Sequence, residues 1–207
     1  MALTAQQLEV RRSFIGASEA AAICGVDPFR NAADVYASKV HELEPRESEA
    51  MRLGTALEPV LMALAEEELG VPVTSRGQHI IRGLLACTVD GAAEVNGTPA
   101  LIEGKTTGIT AGWGDPDDED DPDAVPDKVL TQTALALYVT GWTVAYVPVI
   151  LGRHGLTFKL YRIDRDDELC EAVANRCERF MEEHVNKRIP PPDVLPSLET
   201  LKRELEI

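Results

Sequence analysis

Asp90, Glu103 and Lys105 are the residues of this chain whose types and spacing could do chemistry. They stand on two alternating runs joined by Asn96-Gly97, a dipeptide that favours the type I′ turn of a two-residue β-hairpin. A two-residue loop fixes the register. Val95 faces Thr98, Glu94 faces Pro99, and counting outward brings Asp90 opposite Glu103. Pro99 then falls at a non-hydrogen-bonded position, where its missing N–H costs nothing. Asp90 and Glu103 fall in the same class of pair, with Cα atoms ~4.5 Å apart. Lys105 lies two residues on and shares their face.

Two carboxylates facing each other across a ladder repel, and a stable fold needs compensation for them. A divalent cation such as Mg²⁺ supplies it through oxygen ligands, with Lys105 as a second, weaker source of positive charge. A cation held there, with an ammonium beside it, can polarise a phosphodiester, generate hydroxide and stabilise developing charge. The other reading of the same residues is a solvent-facing hairpin that happens to carry Asp, Glu and Lys.

The elements that must position these residues are legible around them. Ser18 reads as the N-cap of a short helix that Gly25 stops, and Asn31–Lys39 as a second short helix. Ser48–Leu69 reads as a longer helical segment closed by Gly70, which Pro59 should kink or split just after Glu58. Residues 78–82, 84–90 and 98–106 read as strands, and Val129–Thr140 as an apolar helix carrying Gln132. Trp142–Leu151 and Leu156–Ile163 read as two strands joined by Gly152-Arg153-His154-Gly155. Asp164 reads as the cap of a long helix to about Lys187, and Ser197–Ile207 as a last amphipathic helix. This order gives an α/β (α+β) class with a mixed β-sheet of about five strands flanked by helices. Trp113 and Trp142 read as packing anchors.

Composition bounds the rest. The chain has 207 residues, 44% hydrophobic and 27% charged, which suits one globular domain over 1–207 with a tail from 190. No apolar window is long enough for a membrane span, and no secretory signal is visible. Cys24, Cys87, Cys170 and Cys177 show no metal-binding spacing and read as reduced core thiols of a cytoplasmic protein. The net charge of −15 argues against broad phosphate contact. Eight of the acids lie between Asp115 and Asp127, however, and removing them leaves −7. That stretch, about 114–127, reads as a solvated, mobile loop.

Asp90 followed by Glu103-Gly104-Lys105 is similar to the Asp-…-(Asp/Glu)-x-Lys signature of the restriction-endonuclease-like nucleases. Ile15-Gly16-Ala17-Ser18-Glu19 through Gly25, then Pro28-Phe29, resembles the opening motif of the YqaJ-like viral recombinases, the family that includes phage lambda exonuclease. Gly54-Thr55-Ala56-Leu57-Glu58-Pro59 resembles that family's Gly-x-x-x-Glu-Pro helix. Cys87–Gly91 and Leu101–Thr106 resemble its two metal-site strands, and Trp113, Pro126 and Gln132 match its tryptophan, proline and helix glutamine. The acidic stretch is an insertion against that pattern, and Asp127-Lys128-Val129 stands where an aromatic pair is expected.

The resemblance implies a Mg²⁺-dependent exonuclease, with Mn²⁺ as a substitute, that degrades linear double-stranded DNA from a 5′ end in phage-type recombination. It implies a restriction-endonuclease-like core, a phage or prophage origin in the bacterial cytoplasm, a single-strand annealing protein as partner and a homo-oligomer, a trimer in some relatives. It assigns Asp90, Glu103, the Gly104 carbonyl and Glu58 to the metal, and Lys105 to the attacking water. Gln132 orients Lys105 or the nucleophile. Ser18 and Arg11, or Arg12 in its place, take a DNA phosphate, and a helix start suits an anion. Two alternatives stand beside this reading. One is a non-catalytic interaction protein on a nuclease fold, with the acidic loop in a partner's groove. The other is an endonuclease or single-strand nuclease using the same site.

Overall fold

A computed structural model describes residues 12–41, 43, 48–108, 112–114, 124–152, 155–192 and 194–204. The elements are β1 (Ile15–Gly16), α1 (Ala17–Cys24), α2 (Ala32–Val40), α3 (Glu49–Leu69), β2 (Gln78–Arg82), β3 (Leu85–Val89), β4 (Gly91–Val95), β5 (Thr98–Ile102), β6 (Lys105–Thr107), α4 (Asp127–Thr140), β7 (Val144–Gly152), β8 (Leu156–Asp164), α5 (Asp167–Phe180) and α6 (Leu198–Glu204). A π-helical turn, Met181–Val185, continues α5. No helix among the described residues is long and apolar enough to cross a membrane.

The hairpin forms as the Asn-Gly signal requires. Asn96 and Gly97 take φ of 51° and 76°, the two positive values of a type I′ turn. The ladder runs from Val95 opposite Thr98 to Gly91 opposite Ile102, the counted register. It stops one pair short of Asp90 and Glu103. There the chain changes sheets. β3 belongs to a three-stranded sheet of order β1-β3-β2, and β4 to a five-stranded sheet in which β5 and β6 lie along one edge of β7 and β8 along the other. The expected single sheet of about five strands is therefore one of two, with Asp90 at the junction.

The expected strand 98–106 is two strands. β5 and β6 share a register against β7, Ile102 beside Tyr146 and Lys105 beside Val149. Glu103 N–H still donates to the Tyr146 carbonyl at 3.0 Å, but Pro148 falls between Tyr146 and Val149 and has no N–H to return, so the strand is interrupted at Glu103 and Gly104.

The five-stranded sheet carries a core on each face. Ile102 and Ile150 pack with Leu61, Met62 and Ala65 of α3. On the other face Leu101 and Ala145 join β3, α1, α4 and α5, while Val147, Val149 and Tyr161 pack with Val129 and Trp113. Trp113 is a packing anchor, 5.2 Å from Tyr161 between ring centroids, and Trp142 packs on the larger cluster.

Several local expectations are corrected. α3 runs through Pro59 without dividing, its cap being Ser48, whose Oγ accepts from Met51 N–H at 3.1 Å. Pro59 is exposed while Leu61, Met62 and Ala65 are buried, so core packing downstream outweighs a rung lost on the open side. The N-cap of α1 is Gly16, not Ser18, because the Glu19 carboxylate reaches back to accept Gly16 N–H at 2.8 Å. Asp166, not Asp164, caps α5, accepting from Leu169 N–H at 3.1 Å, since Asp164 is still paired to Val144 in β8. All four cysteines are free thiols. Residues 115–123 of the acidic stretch, along with Arg153 and His154, lie outside the described residues.

Candidate active site

The site is built where β5 hands over to β6. Alternation sends Ile102 and Gly104 toward α3, and Glu103 and Lys105 toward α4. α4 supplies Gln132 to meet them. Lys105 Nζ lies 2.7 Å from Glu103 Oε1 and donates to Gln132 Oε1 at 3.1 Å. Gln132 Nε2 donates to the same Glu103 Oε1 at 2.5 Å. Three side chains thus close a ring, in which the glutamine amide uses its acceptor on the ammonium and its donor on the carboxylate. Glu103 is 5% exposed, while Lys105 and Gln132 are half-buried. Both bonds fall on Oε1, which leaves Oε2 as the Glu103 oxygen for a cation.

Asp90 completes the other side. With no strand partner beyond Ile102, Gly104 gives its N–H to Asp90 Oδ2 at 3.0 Å. Burial, and then the charge of Glu103, push the Asp90 carboxyl up to about 7. Glu58 adds to that rise, while Lys105 and the Gly104 N–H oppose it. Cys87 reports the same field, its thiol pushed up to about 12 by burial and by Glu103. The cluster holds more negative charge than Lys105 offsets.

Two glycines bring Glu58 into range. A Cβ on Gly91 would meet Val73 Cγ1 at 2.4 Å and Met62 Sδ at 2.9 Å, and one on Gly104 would meet Leu61 Cδ1 and Met62 Cε at 3.2 Å. Helix α3 therefore lies directly on the backbone flanking Asp90 and Lys105. Glu58 sits one turn before Met62 on that helix. Motif resemblance gave Gly91 as a strand position and Gly104 as a carbonyl ligand, and neither match implied this close approach. Gly91→Ala is expected to destabilise the fold by about 1–3 kcal/mol through overpacking. Urea denaturation of the variant beside wild type measures it.

The sequence-assigned set divides. Asp90, Glu103, Gly104, Lys105 and Gln132 are joined by direct bonds, and Glu58 is coupled through its charge. Ser18 is exposed in the first turn of α1 and makes no hydrogen bond to this cluster, while Arg12 is half-buried just before β1. Arg11 lies outside the described residues. No three His, Cys, Asp or Glu side chains among the described residues stand close enough to hold a metal ion by themselves. The oxygens suit a hard cation that keeps several waters: two carboxylates, a backbone carbonyl and a third acid nearby. The uncompensated charge on Asp90 and Glu103 is what such an ion relieves.

A family model of the YqaJ-like viral recombinase domain matches residues 6–143. The chain belongs to this family. The uncharacterized protein YqaJ of Bacillus subtilis (strain 168) is 28% identical over 173 residues, 79% of this chain and 50% of that protein. The chain spans about half the length of this curated relative. An alkaline exonuclease, LHK-Exo, from Laribacter hongkongensis superposes with a TM-score of 0.69 at 20% identity, over 98% of both chains. Its structure in complex with dAMP gives 0.66 at 22% identity, again over 98% of both chains. A phage related exonuclease from Haemophilus somnus 129PT gives 0.64 at 11% identity, over 87% of this chain and 99% of that one. At these identities the likeness is one of fold, in the mixed sheets and flanking helices.

Gln132→Ala is expected to lower turnover about 10- to 100-fold, the usual effect of removing a group that orients a site's ligands. The ring would lose the bond that keeps Lys105 and Glu103 in one geometry. Single-turnover kinetics on DNA checks it.

Proposed function

We propose that the chain, as one nuclease domain, is a Mg²⁺-dependent exonuclease that degrades linear double-stranded DNA from a 5′ end. The observation that carries this is the closed ring of Glu103, Lys105 and Gln132 beside Asp90. Membership of a viral recombinase family and a fold shared with proteins titled exonucleases support it. The same support extends the reading to a role in phage-type recombination, in a bacterial cytoplasm, beside a single-strand annealing protein and as a homo-oligomer.

Asp90, Glu103 and the Gly104 carbonyl would hold Mg²⁺ or Mn²⁺, with Glu58 helping to hold the ion or its water. When bound, the ion supplies Lewis-acid polarisation of the phosphodiester and lowers the pKa of a coordinated water. The remaining work belongs to the chain. Lys105, held by two bonds, directs its remaining N–H toward the attacking water and the phosphoryl oxygen where charge develops. Gln132 bonds both the ammonium and the Glu103 carboxylate that the ammonium meets, so no reorganisation is needed as the reaction proceeds. Ser18, with Arg11 or Arg12, would take a phosphate of the strand end.

End-labelled linear duplex with Mg²⁺ tests the reading, with a covalently closed circle as control. The expected result is loss of the 5′ label as mononucleotides, no action on the circle, and no reaction with chelator. Cutting of the circle would contradict an exonuclease, and an inert protein at every metal concentration would contradict a nuclease.

A further inference from the structure

An exposed aromatic ring is held by a lysine that lies one helical turn from Gln132. Phe29 is 63% exposed on the segment between α1 and α2. Asp27, whose side chain is 2% exposed, fixes it twice. Asp27 Oδ1 accepts the Phe29 N–H at 2.9 Å, and both Asp27 oxygens lie 3.1 Å from Lys128 Nζ. Lys128 Nζ in turn sits 5.0 Å from the Phe29 ring centroid, a cation–π contact on one ring face. Lys128 is on α4 four residues before Gln132, so both belong to one helix face, ~5–6 Å apart at Cβ. Gln132 is already bonded to Lys105 and Glu103.

A phenylalanine left in water with a buried carboxylate and a lysine spent on holding it is unexplained by packing. Its clamp runs through Lys128 to the helix that carries Gln132. A ring clamped on one face and open on the other suits stacking on a flat π-system, and every nucleobase presents one. Resting on the nuclease reading, we propose that Phe29 is a substrate-binding residue that stacks on a nucleobase next to the scissile end, with Lys128 and Asp27 as its positioning residues. The ring recognises a base of any identity and orders the strand entering the site.

The test compares wild type, Phe29→Ala and Phe29→Trp on labelled linear duplex, with melting temperature and light scattering on each protein. The expected result is a KM about 5- to 150-fold higher in Phe29→Ala, the range for loss of one base-stacking ring. Turnover at saturation and melting temperature should stay near wild type, and Phe29→Trp should restore KM. Phe29→Trp also gives a direct reading: its added fluorescence should be quenched by a duplex end with Ca²⁺ in place of Mg²⁺. Unchanged KM in Phe29→Ala with no quenching in Phe29→Trp overturns the stacking role and leaves the nuclease reading intact. Quenching by an oligonucleotide in a protein that never hydrolyses DNA keeps the stacking role and removes the nuclease reading. A change in oligomeric mass in Phe29→Ala with KM unchanged makes the ring a contact between proteins and overturns the proposal.

Discussion

Lys105→Ala is expected to lower the cleavage rate roughly 100- to 1,000-fold, the cost of removing one preorganised donor from developing charge. The ammonium meets Glu103 and Gln132 at once, so its position is fixed before substrate arrives. Loss of the amine also leaves Glu103, 5% exposed, with less positive charge nearby. The variant should therefore melt below wild type, and at a temperature where it is folded it should bind DNA while losing turnover, a fall in kcat rather than a rise in KM. Lys105→Arg should restore little, because a planar guanidinium does not occupy the point that bonds both a carboxylate and an amide oxygen. Single-turnover rates on labelled duplex separate these effects. Wild-type turnover in Lys105→Ala would remove the lysine from the chemistry.

The largest effect on stability is expected outside the Glu103–Lys105–Gln132 ring, at Lys39. Its Nζ lies 2.8 Å from Glu19 Oε2, with the two side chains 4% and 6% exposed, and it also donates to the Phe14 carbonyl at 2.9 Å. The same Glu19 oxygen accepts the Gly16 N–H. One buried pair therefore fastens α2 to the turn from β1 into α1. Lys39→Met strands an uncompensated carboxylate in the interior, at a cost of about 3–5 kcal/mol. For a chain of this size that lowers Tm by roughly 6–20 °C. The double variant Glu19→Gln/Lys39→Met removes the charge as well and should regain much of the loss. Calorimetry on the three proteins decides it. Additive losses would show that the two side chains do not act as a pair.

The hairpin and its acids were legible because the signals are local. Asn96-Gly97 fixes register by φ alone, and period-two alternation then assigns faces, so Glu103 and Lys105 could be placed together from the chain. Gln132, Glu58 and the residues proposed for a phosphate came from motif resemblance, and the structure joins the first to the site by two bonds. What escaped depends on residues distant in sequence. Pro148 on β7 breaks the strand at Glu103-Gly104, and nothing in residues 98–106 announces it. Pro59 was expected to interrupt α3, but helix propensity yields to the burial of Leu61, Met62 and Ala65. Ser18 has the chemistry of a cap, but Glu19, fixed by Lys39 from another helix, takes the Gly16 amide instead. Asp27 and Lys128 are 101 positions apart, so the clamp on Phe29 exists only in the folded chain.

Soaking or co-crystallising the protein with Mn²⁺ and collecting anomalous diffraction at the manganese edge tests the central claim most directly. The expected result is a peak shared by Asp90, Glu103 and the Gly104 carbonyl, with Lys105 beside it and unligated. A protein saturated with Mn²⁺ that shows no peak between those two carboxylates would contradict it.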